Sequence, residues 1–222
     1  THYLGFNANM LANEMFLDSS SLRSSIVSHA KTLGYTPTSA RASKAIVDVT
    51  LNTNSSSLTM PAGTVFNTAV DGVSYKFSTI TDVTKSNTGN SIPFTNIDIY
   101  EGTFITTRYS VDSSDIDQRF LLTDNRADTT TLTVKVQTSS SDSTTTTYTK
   151  TTDITQLTAS SNVYFLQEVE AGVFEIYFGD GIIGSALSDG NIIILTYVVS
   201  NKSLANGAAL FDNAATIASV SD

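Results

Sequence analysis

Residues Val163 to Gly184 read VYFLQEVEAGVFEIYFGDGIIG, and the hydrophobic pattern of the chain is clearest there. Val163–Val169 and Val173–Phe178 are β-branched and aromatic runs separated by Glu170-Ala171-Gly172, the spacing of a hairpin with a short glycine loop. In the second run Phe174, Ile176 and Phe178 alternate with Val173, Glu175 and Tyr177, so a period of two predicts one wholly apolar face beside a mixed one. Gly179, Asp180 and Gly181 follow at once and Gly184 closes the stretch, predicting a structural turn made of residues that tolerate positive φ. Asn191–Val199 (NIIILTYVV) is a near-continuous apolar run of strand length, expected to be central or sandwiched. These three strands, close in sequence, mark the expected folding centre.

Upstream the period changes. Asn9–Phe16 reads as helix, with Met10, Leu11 and Met15 apolar and Glu14 at a polar edge. A second helix is predicted from about Ser21 to Leu33, capped by Asp18 or Ser19, with Leu22, Ile26, Ala30 and Leu33 at helical spacing and Val27 widening the stripe. Gly34 suits the left-handed residue that ends it, and Pro37 lies at the usual distance beyond. Leu22, Ile26 and Leu33 are the candidate interaction residues, expected to meet the β region or another subunit.

From Ala45 the pattern is strand and turn. In Ala45–Thr53, Ile46, Asp48 and Thr50 share one side and Val47, Val49 and Leu51 the other. Leu58–Met60, Thr64–Asn67, Val73–Ile80, Asn96–Tyr100, Phe104–Val111, Phe120–Leu122 and Thr131–Gln137 are further strands, punctuated by Asp71-Gly72, Asn87–Asn90, Glu101-Gly102 and Asp124-Asn125. Thr138–Thr152 reads either as a mobile loop or as a loop followed by a Thr-rich edge strand centred on Tyr148, and the strand propensity of Thr favours the second. Asp153–Ser160 is expected to be a short helical turn, and Asn201–Gly207 an interruption after the last strand. The fold class that follows is α+β, mainly β: a helical lead-in and linker (1–44), a mostly antiparallel β-sandwich or barrel-like core (45–207), and the start of a further, truncated element (208–222).

Composition narrows the partners. Hydrophobic residues make up 40% and charged residues only 15%, because Ser, Thr and Asn fill much of the polar surface, a composition suited to β-structure and protein contact. A formal net charge of −9, with 12 Lys plus Arg scattered along the chain, supplies no basic stripe for a phosphate backbone, so no nucleic-acid partner is expected. No apolar run is long enough to span a bilayer, so no membrane partner is expected either. The first residues show no signal peptide and no initiating Met, and the chain is read as a piece of a longer one. With no Cys and only His2 and His29, thiol nucleophiles, thiolate zinc sites and Ser-His-Asp chemistry fall away.

Each remaining chemical motif has a plainer reading. Gly179–Gly184 lacks the Lys-Ser/Thr end of a phosphate loop and carries an Asp that repels phosphate, leaving a turn. Asp112, Asp115 and Asp117 form the densest acidic cluster and are candidate calcium ligands, but their spacing is not that of a calcium-binding helix–loop–helix, and Arg108 and Arg119 are near enough to pair with them. Glu168 and Glu175, across the hairpin, have the residue types of a glycosidase pair. Solvated strand positions account for them as well, and the chain has no Trp to stack a sugar. His29 reads as a histidine at a helix boundary. No catalytic residue, cofactor, metal or small-molecule substrate is assigned.

Two blocks carry a family resemblance. Tyr164–Glu168 with Phe174–Gly184, then Leu187 and the strand to Tyr197, resembles the baseplate-J-type core of contractile-tailed phages. Asn13–Asp18, with Leu22-Arg23 and Leu33–Ser39, resembles the helical lead-in of the larger baseplate wedge subunit of T-even-type phages. The stretch Asn201–Gly207 follows the family's glycine-containing exit only loosely. The resemblance implies a structural, non-enzymatic protein of the virion tail baseplate, assembled in the host cytoplasm. Its implied partners are a second copy and other wedge proteins, in a ring around the tail hub that rearranges when the sheath contracts. A glycan-binding adhesin or tail-fibre-associated receptor-binding domain is the alternative that composition alone would allow.

Overall fold

A computed structural model describes residues 2–213 and 217, and no helix among them is long and apolar enough to cross a membrane. Helices α1 (His2–Glu14) and α2 (Arg23–Thr32) come first, and the rest is mainly antiparallel β-structure, in agreement with the expected fold class. The chain separates into two units, one within Thr1–Ser39, Asp115–Asn125 and Thr149–Leu187, the other within Ala40–Ser114, Arg126–Tyr148 and Ser188–Asp222. Within each unit, segments far apart in sequence come together.

The second unit contains β1 (Lys44–Asn52), β2 (Ser57–Met60), β3 (Val65–Val70), β4 (Val73–Ser78), β5 (Val83–Ser86) and β6 (Ser91–Glu101). In β1, Ile46, Asp48 and Thr50 are exposed while Val47, Val49 and Leu51 turn inward, as the alternation predicts. The β3–β4 hairpin closes through Asp71 and Gly72 at φ 51° and 79°, the paired positive values of a two-residue hairpin loop. A five-stranded sheet runs β1-β6-β4-β3-β14, where β14 is Asp212–Asn213, and β2 and β5 form a separate ribbon. Its core gathers Leu51, Met60, Phe66, Phe77, Ile92, Phe94, Ile97 and Ile99, and Phe211 meets Phe77 edge-on at 5.0 Å. Apart from β14 and the buried Ile217, the last part of the predicted element 208–222 lies outside the described residues.

In the same unit, β13 (Ile192–Val199) pairs with β7 (Thr103–Ser110) on one side and β9 (Ala127–Gln137) on the other. Ladder bonds at both edges explain the unbroken apolar run, and Ile193, Leu195 and Tyr197 are fully buried. The burial of this run agrees with the central position that its unbroken hydrophobicity predicts. Glu101 is buried and accepts hydrogen bonds from the backbone N–H and side-chain amide of Asn201, at the start of a 3-10 turn over Lys202–Ala205.

The first unit contains β8 (Phe120–Leu122), β11 (Val163–Glu170) and β12 (Val173–Phe178), in the order β11-β12-β8. The Thr-rich segment forms β10 (Thr145–Lys150). Its first four residues, ending at Tyr148, pair with β9, and its last two run parallel to Val163 and Tyr164 of β11, so the Thr-rich half is a strand, as its propensity predicts. Asp153–Ser160 is corrected from a helical turn to irregular turns: the Asp153 carboxylate accepts the Thr155 N–H and hydroxyl, an arrangement that competes with helix.

Candidate functional site

Helix α1 begins at His2 and ends at Glu14, earlier at both ends than the Asn9–Phe16 prediction, and buries none of its residues. Tyr3, Leu4, Phe6 and Leu11 are each about 70% exposed or more, and Met15 and Phe16 continue the apolar surface beyond the helix. No residue from Tyr3 to Asn13 is charged. A lone helix of this length is marginal in water, and one so apolar is stable when covered.

Helix α2 starts with Leu22 at its cap position, where the sequence predicted Asp18 or Ser19. The capping acceptor is instead the Glu14 carboxylate, which takes the Ser21 N–H and hydroxyl, both at 2.9 Å, and the Leu22 N–H. Hydrogen bonds from the Ser25 hydroxyl and then from the Ser21 backbone lower the Glu14 pKa to about 2. At the other end Gly34 has φ 72°, its N–H reaches the Lys31 carbonyl and the Tyr35 N–H reaches that of Ala30, a Schellman closure. The buried residue of α2 is Val27, while Leu22, Ile26 and Leu33 are 45%, 40% and 74% exposed. His29 is half-buried, with a ring nitrogen 3.1 Å from the Glu14 carbonyl oxygen.

Two carboxylates of the β11–β12 hairpin are buried, which corrects the expectation that Glu168 and Glu175 occupy solvated strand positions. Arg23 of α2 donates Nε at 2.8 Å and Nη2 at 2.6 Å to Glu168, and Arg119 donates the same pair at 2.8 and 2.6 Å to Glu175. Glu168 also accepts the Gly172 N–H at 2.9 Å, fixing the hairpin turn. Tyr177 donates its hydroxyl to Glu175 at 2.7 Å, and burial together with that carboxylate pushes the Tyr177 pKa up to about 12. Each acid is thus neutralised and hydrogen-bonded, the condition under which a buried charge is tolerated. Nothing in the sequence marks Arg23 or Arg119 as a site residue, and Arg119, near enough in sequence to pair with the Asp112–Asp117 cluster, pairs with Glu175.

The Gly179–Gly184 turn closes on itself. Asp180 accepts the Ile182 and Ile183 N–H groups at 2.9 Å, which hold its pKa below the usual carboxylate value. Gly181 and Gly184 have φ 86° and 85°, and the Gly181 N–H meets the Gly184 carbonyl at 3.0 Å. Ile182 stands 76% exposed at its tip. Asp112 accepts the Ser114 N–H and hydroxyl, and Asp115 the Asp117 N–H, so both close local turns. Among the described residues no three His, Cys, Asp or Glu side chains converge as metal ligands.

Residues 105–208 match the family model described as the third domain of the bacteriophage baseplate wedge protein gp6. Over 99% of its length the chain is 25% identical to baseplate wedge protein gp6 of Enterobacteria phage T4, and it spans 35% of that relative's length.

Proposed function

The chain is akin to the baseplate wedge subunits of T-even-type contractile-tailed phages, and from that kinship we propose that it is a structural section of such a subunit, working in the virion tail baseplate without catalysing a reaction. It joins a second copy and other wedge proteins in a ring around the tail hub, and the ring rearranges as the sheath contracts. The observation that carries the reading is α1, a wholly unburied apolar helix followed by the exposed Ile26 on α2 and the exposed Leu22 and Leu33 at its two ends. Such a surface is a docking element for partner helices, since apolar stripes are stable once covered. The hairpin acids support a structural role, because each is held by its own arginine in a two-pronged ion pair.

Electron cryomicroscopy of intact particles tests the proposal. Density for this chain in the ring around the hub, with residues 2–33 against a neighbouring protein, is the expected result. Density on tail fibres, or saturable binding of the isolated chain to a glycan array, would overturn it in favour of an adhesin.

A further inference from the structure

We propose that the Arg23–Glu168 pair is a latch that couples the seating of α2 to the order of the β11–β12 hairpin tip, allowing the helical segment to be released as an arm while the strands stay folded. The latch is a property of this unit and does not rest on the baseplate reading.

The grip on α2 is unusually polar. Its buried apolar contribution is Val27 alone, and a cleft of about 200 Å³ remains between Ser24, Val27, Ser28 and Lys31 on the helix side and Glu168 and Val169 on the hairpin. An apolar interface this thin contributes little, so the two-pronged guanidinium contact decides where the helix sits. The Thr36 hydroxyl donates to the Leu166 carbonyl at 3.2 Å and secures the chain just beyond the helix, leaving α2 itself free to swing.

Glu168 is fully buried, and one of its oxygens serves two elements: Oε1 accepts both Arg23 Nε and the Gly172 N–H. Withdrawing Arg23 leaves that carboxylate buried without its counter-charge, and it must turn toward water or drag the tip open. Either response releases the Gly172 N–H. Gly172 stands at φ 87°, a conformation that side chains rarely adopt, and a Cβ there would lie 3.4 Å from Asn125, after β8. Helix seating and tip order are therefore two readings of one equilibrium.

Hydrogen-exchange mass spectrometry on the full chain tests this. With Arg23→Ala, amides 24–33 and 168–173 should both exchange about tenfold faster or more while 192–199 stay protected. Arg23→Lys keeps the charge without the fork and should fall between wild type and Arg23→Ala. Arg119→Ala, which breaks the other ion pair, should leave 24–33 unchanged. Raising salt should loosen 24–33 and 168–173 together in the wild type and add little in Arg23→Ala. The latch is refuted if Arg23→Ala leaves α2 protection intact, if α2 loosens while 168–173 does not, or if β13 loosens to the same degree, since that would be general destabilisation.

Discussion

Glu168 and Glu175 leave the same hairpin on opposite faces. The ladder sets Glu168 across from Phe174 and Glu175 across from Gln167, and directly paired residues share a face while neighbours on a strand do not. Two carboxylates that act on one glycosidic bond must look into one cleft. Here each looks into a separate guanidinium, Arg23 on one side and Arg119 on the other.

Arg119 is expected to protect the chain against acid. Its guanidinium holds the Glu175 carboxyl below the usual carboxylate range against the opposing effect of burial, with the Tyr177 hydroxyl adding to the depression. A carboxyl with a depressed folded-state pKa contributes stability that is present above its unfolded value, near 4.5, and is lost as pH falls through the folded value. Arg119→Ala should therefore move the acid-unfolding midpoint to higher pH, read by near-ultraviolet circular dichroism of the tyrosines. An unchanged midpoint would refute a contribution of the Arg119–Glu175 pair to acid stability.

Glu14 gives α2 a pH dependence of its own. Ionised, it caps the helix start; its folded pKa of about 2 lies below its ordinary 4.5, so the cap contributes in full above that ordinary value and disappears as pH drops toward 2. Glu14→Gln should make the protection of residues 23–28 nearly independent of pH between about 5 and 2, once intrinsic exchange rates are divided out. A wild-type profile that is itself flat over this range would refute the capping role.

Local signals made much of this fold legible. Asp71-Gly72 and Ala171-Gly172 adopt the positive φ that their hairpins require, Gly34 ends α2, and the alternation in β1 states which side is buried. The first half of β6 was hidden by Pro93, tolerated because β6 there pairs with β1 alone, and by a bulge where Asn96, at φ 56°, gives its N–H to Asp48. β5 was too short and polar to stand out. The ion pairs were illegible for a different reason. Arg23 lies 145 residues from Glu168 and Arg119 lies 56 from Glu175, and no periodicity within a strand tells a solvated glutamate from one met by a distant arginine.

Gly179 and Gly190 separate two requirements for glycine. A Cβ on Gly179 would overlap the Gly184 carbonyl and the Ile183 oxygen, both backbone and unable to yield, whereas at Gly190 the space is open and only the φ of 76° is unfavourable. Gly179→Ala should cost about 2–4 kcal/mol. Gly190→Ala should cost about 1 kcal/mol. Urea denaturation checks both, and equal losses would mean that the closed turn contributes nothing beyond its dihedral angles.

Leu22, Ile26 and Leu33 provide the sharpest separation of stability from assembly. Because each is 40% exposed or more, replacing them singly by Ser should lower unfolding stability by roughly 1 kcal/mol or less. Leu195→Ala, at a fully buried position between two paired strands, should cost about 2–5 kcal/mol. Incorporation into baseplates should reverse that order: the three Ser variants fold yet are under-represented in purified particles, and Leu195→Ala incorporates in proportion to its folded fraction. Measuring the urea midpoint and the particle-bound fraction of each variant decides the matter. If Ser variants with unchanged midpoints also incorporate like the wild type, the exposed helical face has no neighbour.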